Sequence, residues 1–152
     1  IPFKPNSNQR RNLICNSSTM WKSRSRPVTV ATVLNLLTHL KEYSDFVADG
    51  DYTASGAPNK LSPAFHDLYG KTWGIIGYGN IGKKVASIAK AFGCKVIFYS
   101  ASGLNDTKEY ERVDLDTLLK ESDILSIHCP LTDRTVNLIN KDTLSKMKRN
   151  MK

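Results

Sequence analysis

Gly77, Gly79 and Gly82 stand in G-x-G-x-x-G spacing between a short apolar run and an amphipathic one. The chemistry this spacing offers is the holding of a pyrophosphate. Gly77 permits a tight turn off a strand, Gly79 lets the backbone come close to the phosphates, and Gly82 lets the following helix pack against the sheet. The anion then rests on the free N–H groups at the start of that helix. The same spacing also occurs in glycine-rich turns that bind nothing, so the flanking elements decide between the two readings.

Those elements have the required pattern. Trp73, Ile75 and Ile76 form the apolar run of a strand buried on both faces. Ile81, Val85, Ile88, Ala89 and Phe92 recur at helical spacing, with Lys83, Lys84 and Lys90 left for solvent. Gly93 stops the helix, and Lys95-Val-Ile-Phe-Tyr99 reads as a second strand. One βαβ unit therefore surrounds the glycines, and the segment is expected to bind NAD or NADP. The Asp or Glu that usually ends such a unit and grips the adenosine ribose is replaced by Ser100, followed by Ala101, Ser102 and Gly103. These hydroxyls neither repel a 2′-phosphate nor supply a carboxylate, which leaves the choice of dinucleotide open. Ser100 and Ser102 are also residue types that simply form turns.

Four blocks carry a resemblance to a known family: Leu68-Tyr-Gly-Lys-Thr-Trp-Gly-Ile-Ile-Gly-Tyr-Gly-Asn-Ile-Gly82, Ala91-Phe-Gly-Cys-Lys-Val-Ile97, Leu118-Leu-Lys-Glu-Ser-Asp-Ile-Leu-Ser-Ile-His-Cys-Pro-Leu-Thr-Asp-Arg-Thr135, and Met147-Lys148. In this order they resemble the D-isomer-specific 2-hydroxyacid dehydrogenases. The likeness runs from about Leu68 to Met151 and reaches back to about Val28. It implies a doubly wound α/β domain of Rossmann type, with a parallel sheet and flanking helices. In the family, that domain is inserted into a substrate-binding domain and serves hydride transfer between NAD(P)H and a 2-oxo acid.

The resemblance also implies where the cofactor lies. Gly77, Tyr78, Gly79, Asn80, Ile81 and Gly82 would surround the pyrophosphate, and Ser100 and Ser102 would lie near the adenosine ribose. His128, Cys129 and Pro130 would line the adenosine side of the cleft, with Thr135 closing that wall. Ile124-Leu-Ser-Ile127 is a buried-strand pattern, and ligands of such sheets bind just beyond the carboxyl ends of the strands, which agrees with this placement.

His128 is a natural general acid by residue type, but its position beside Cys129 and Pro130 at a strand end marks it as cofactor wall rather than proton donor. His39 and His66 precede the glycine motif and read as structural or exposed. The family's catalytic Arg, Glu and His follow a further strand after the Met-Lys block, in an Asn-x-x-Arg-Gly context. That strand is not within these 152 residues, so no catalytic residue is assigned and the isolated chain is expected to be inactive. The substrate domain is expected to be absent and the dinucleotide domain, 28–152, to be incomplete at its C-terminus. A nucleotide-sensing module without catalysis, or a truncated remnant, remain alternative readings.

Residues 1–27 hold Lys4, Arg10, Arg11, Lys22, Arg24 and Arg26 with no acid, and read as a disordered basic arm. This arm carries six of the eight units of the +8 net charge, so the remainder is near neutral and lacks a nucleic-acid-binding surface. Cys15, Cys94 and Cys129 are odd in number and without C-x-x-C spacing, which indicates neither a disulfide framework nor a zinc site. No apolar run approaches the roughly 20 residues of a membrane span. A cytoplasmic protein is expected.

Val30, Val33, Leu34, Leu37, Leu40 and Tyr43 predict a helix over Val28–Val47, about five turns long. Its apolar face suits either core packing or a homodimer contact, where the resemblance places the corresponding helix. Gly and Pro clusters then mark a loop leading to the glycine-motif strand. Asp114 is a helix cap for a segment that turns Leu115, Leu118 and Leu119 inward, and a last helix is expected near Asp142 to Lys148.

Overall fold

The computed structural model describes residues 17–59, 62–104, 107–149 and 151. Three helices come first: α1 (Ser17–Thr38), α2 (Leu40–Ala48) and α3 (Asp51–Ser55). The alternating part then runs β1 (Thr72–Ile76), α4 (Asn80–Ala91), β2 (Lys95–Tyr99), β3 (Glu111–Arg112), α5 (Leu115–Glu121), β4 (Ile124–Ile127) and α6 (Lys141–Ser145). All strand pairs are parallel and the sheet order is β3-β2-β1-β4. From β1 the chain moves outward to β2 and β3, then crosses back to the other side of β1. The strand order therefore reverses between β1 and β4, which is where open α/β sheets bind ligands.

Side-chain alternation divides the core between the two faces of the sheet. Trp73, Ile75, Val96, Phe98 and Ile124 join Val85, Ala86 and Ala89 of α4, together with Val33 and Leu37 of α1. On the other face Ile76 and Ile97 meet Leu118 of α5, with Leu125, Leu138 and Ile139 packed around them. Burial of each large apolar side chain is worth about 1.5–3 kcal/mol. Trp73 is fully buried, and its indole N–H donates to Ser126 Oγ at 2.9 Å, so the polar atom is satisfied inside the core.

Several expectations needed adjustment. The helix expected over Val28–Val47 begins at Ser17 and breaks at His39, which sits in the left-handed region at φ 51°. Thr38 Oγ1 donates back to the Leu34 carbonyl at 2.8 Å in the last turn of α1. Of the arm expected over 1–27, residues 1–16 lie outside the described residues and Ser17 to Pro27 is helical. The α1 stripe of Val30, Val33 and Leu37 is buried in the core, whereas Leu40 is exposed. Phe92, expected inside, is also largely exposed, because α4 has ended one residue earlier. The two-residue strand β3 was not anticipated, since a charged Glu-Arg pair has no apolar alternation. The segment expected as loop contains the short helix α3.

Asp123 ties the amino ends of β1 and β4 together. Its carboxylate accepts from the Thr72 N–H at 2.9 Å and from Lys148 Nζ at 2.7 Å. Partial burial pushes its pKa upward, but these bonds outweigh that effect and the net shift is downward. Because the folded value lies below the unfolded one, the stabilisation is complete above about pH 4 and is lost as pH falls through the folded value. Asp123→Ala leaves the Thr72 N–H without its partner and should cost about 1–3 kcal/mol at neutral pH. Urea unfolding at a series of pH values checks this: the gap between wild type and variant should shrink as the solution is acidified.

Candidate functional site

The site is assembled where β1 and β4 end side by side. The His128 N–H donates to the Ile76 carbonyl at 2.7 Å, and the Gly77 N–H donates to the Tyr99 carbonyl at 2.9 Å. Gly77 has φ +95°, and a Cβ on it would fall 2.7 Å from the Cys129 nitrogen. The chain can turn here only because no side chain separates it from the His128–Cys129 peptide. A Cβ on Gly82 would come within 2.2 Å of the Gly77 carbonyl oxygen, so the first turn of α4 packs directly on that turn. A Cβ on Gly79 would meet nothing within 4 Å. The three glycines are thus distinct in role: two permit backbone contact inside the protein, and the third keeps open the space in front of the helix.

That helix start is poised for an anion. Gly79 is the N-cap of α4, no side chain caps it, and its first turn holds no acid. The first intrahelical bond is donated by the Lys83 N–H to the Gly79 carbonyl at 2.9 Å. The N–H groups of the preceding turn are left for another acceptor, and the helix dipole adds to their pull on negative charge. By contrast, α5 is capped by Asp114, which accepts from the Thr117 N–H, and α6 by a capping box at Asn140.

A cleft of about 450 Å³ opens above these groups. Gly77, Tyr78 and Gly79 line one side, Ala101 and Ser102 another, and His128, Cys129, Pro130, Thr132, Asp133, Arg134 and Thr135 the far wall. Eight of the residues expected to touch a cofactor are therefore brought together. Asn80, Ile81, Gly82 and Ser100 do not line the cleft. The first three form the start of α4 beneath it, and Ser100 is buried behind Ser102, with their hydroxyl oxygens 3.4 Å apart.

Two of the expected side chains turn inward. The Tyr78 ring is buried, stacked on Phe98 with centroids 4.2 Å apart, so little beyond its backbone is offered to the cleft. Thr135 Oγ1 donates to the Pro130 carbonyl at 2.6 Å and accepts from the Thr132 N–H at 2.7 Å. Its hydroxyl is spent on the backbone of the wall. Ala101, Thr132, Asp133 and Arg134 were missed by the sequence reading. The clue available for the last three was a polar, turn-rich stretch directly after the carboxyl end of a strand.

His128 is half-buried, and desolvation lowers its pKa, so the ring is neutral at pH 7. Its Nε2 is shielded and has no partner among the described residues. Burial pushes the thiol pKa of both Cys94 and Cys129 upward, which keeps them protonated and weakly nucleophilic. Among the described residues no cluster of His, Cys, Asp or Glu could hold a metal ion, and no helix is long and apolar enough to cross a membrane. An orphaned buried imidazole nitrogen, an uncapped helix start and an open space at Gly79 together fit a dinucleotide.

The family model for the D-isomer specific 2-hydroxyacid dehydrogenase NAD-binding domain matches residues 30–152. The chain belongs to this family. It is 44% identical over 123 residues to the D-lactate dehydrogenase of Curvularia clavata, covering 80% of this chain and 33% of that protein. It is 49% identical over 146 residues to the glyoxylate reductase of Aeropyrum pernix, covering 90% and 42%. Among solved structures, the D-lactate dehydrogenase of Aquifex aeolicus complexed with NAD and lactic acid is similar at TM-score 0.69 and 33% identity, over 81% of this chain and 36% of that one. The chain therefore spans about a third of the first of these relatives and about two-fifths of the second. It is an NAD-binding domain of Rossmann type, with NAD or NADP as its cofactor.

The glycine geometry separates binding from stability. Gly79→Ala adds a Cβ in open space at φ −88°, a conformation any residue adopts, so the thermal midpoint should stay within about 2 °C. NADH binding, measured by calorimetry, should fall at least about ten-fold because the phosphates must approach the backbone there. Gly82→Ala should instead lower the unfolding free energy by about 1–3 kcal/mol, although a free helix interior would gain from Ala.

Proposed function

We propose that this domain is the cofactor-holding half of an enzyme that interconverts a small 2-oxo acid and its D-2-hydroxy acid. The uncapped start of α4, lying under the open Gly79 and facing the wall at His128–Pro130, is the observation that carries the reading. The dinucleotide supplies or accepts the hydride when bound. This chain's residues bind and orient it. The backbone of Gly79–Gly82 holds the pyrophosphate, the Ser100–Ser102 turn sits at the adenosine ribose, and His128, Cys129, Pro130 and Thr135 form the wall against which the adenosine half rests.

The relatives are named for D-lactate and glyoxylate. Their common feature is a short chain with a carboxylate beside the reacting carbon, which supports a 2-oxo acid as the substrate class. The groups that orient the carboxylate and move the proton are assigned to a substrate lobe outside this sequence. His128, neutral and held in the cofactor wall, is not given that work. Exposed Leu36, Leu40 and Val47 on α1 and α2 support a homodimer through this layer, which light scattering would register as twice 17.0 kDa.

The division of labour is tested by giving the purified 152-residue chain NADH together with glyoxylate or pyruvate. It should bind the dinucleotide and oxidise it no faster than a blank. A polypeptide in which the same domain is joined to its substrate lobe should turn over. Turnover by the short chain alone would contradict the assignment of catalysis to the other lobe.

A further inference from the structure

We infer that the turn after β2 selects NADP(H) over NAD(H), with Arg112 and Ser102 receiving the 2′-phosphate. The inference rests on the dinucleotide reading above and deepens it. The turn is Ser100–Ala101–Ser102–Gly103, closed by the Gly103 N–H donating to the Ser100 carbonyl at 3.1 Å. Gly103 adopts φ +73°, and Ala101 and Ser102 form one side of the cleft. None of these residues is acidic, so nothing in the turn grips a ribose diol or repels a phosphate.

Arg112 lies against the tip of the same turn. Parallel pairing of β3 with β2 sets Arg112 beside Phe98, and Arg112 Nη1 donates to the Gly103 carbonyl at 3.2 Å. This is a single bond from an exposed guanidinium to a neutral acceptor. Arg112 has no carboxylate partner among the described residues. The neighbouring carboxylates are already engaged: Glu109 by Lys90 Nζ at 3.3 Å and Glu111 by Lys95 Nζ at 3.5 Å. A guanidinium with no anion partner among the described residues, held against the tip of the turn expected at the ribose, suits a phosphate electrostatically. Ser102 is exposed on the same turn, and its hydroxyl, which accepts from the Leu104 N–H at 3.4 Å, can donate a further hydrogen bond. Asp133 and Arg134 across the cleft offset one another in charge, so the preference is assigned to the turn.

Equilibrium binding of NADPH, NADH, 2′,5′-ADP and 5′-AMP to the 152-residue chain tests the inference by calorimetry, without any turnover. NADPH should bind at least about ten-fold more tightly than NADH, and 2′,5′-ADP should exceed 5′-AMP by a similar factor, the scale of one charge-assisted hydrogen bond. Arg112→Ala should weaken NADPH and 2′,5′-ADP by about ten-fold or more while leaving NADH within about two-fold. Arg112→Lys, which keeps the charge, should retain part of the preference. NADH binding as tightly as NADPH, or Arg112→Ala weakening both alike, would overturn the inference and leave the dinucleotide reading intact. If no dinucleotide binds at all, the dinucleotide reading itself fails.

Discussion

The structure depends on a backbone contact that no side chain could share. The turn after β1 lies against the peptide linking His128 and Cys129, and the first turn of α4 lies against the carbonyl of Gly77. These two approaches bring together the ends of β1 and β4 and the start of α4, elements that are distant in sequence. Interiors are packed closely enough that one added methyl at such a point must displace a neighbour. The position of the cleft is therefore fixed by the sheet crossover and by two hydrogens where side chains would otherwise be.

That contact also explains how the domain can bind an anion with little positive charge of its own. Lys83 and Lys84 sit on the outer part of α4, and the cleft wall carries one Arg beside one Asp. The attraction comes instead from oriented N–H groups at a helix start that the protein leaves uncapped, while α5 and α6 are capped by their own side chains. Such groups need no side-chain ordering when the ligand arrives, and they impose direction as well as charge. A second cavity of about 550 Å³ lies at the opposite, amino ends of the strands, lined by Lys71, Lys148 and Arg149 together with Asp123. There the charge is carried by mobile side chains, and Lys148 is already paired with Asp123.

Much of this was legible in the sequence because the deciding residues are local. G-x-G-x-x-G spacing within a strand–helix–strand pattern specified β1, α4 and β2, and the apolar run Ile124–Ile127 specified β4. Asp114 announced α5 through its capping role. What escaped was set by tertiary contact. The break at His39 rests on a left-handed backbone conformation that residue type does not announce, and β3 exists because β2 offers an edge to a charged pair that has no strand pattern of its own. The inward turn of Tyr78 onto Phe98 and the inward use of the Thr135 hydroxyl are equally invisible to spacing. Both residues line the cleft, but their side chains build the wall and the core behind it.

The central claim, that the amides at the start of α4 receive the pyrophosphate, is tested most directly by following the backbone amide resonances of the nitrogen-15-labelled chain during titration with NADPH. The largest shifts should fall on Gly79, Asn80, Ile81 and Gly82, with smaller ones along Ser102 and His128–Cys129. If those four amides stay unmoved while Lys71, Lys148 and Arg149 respond at the opposite end of the sheet, the account of this site is wrong.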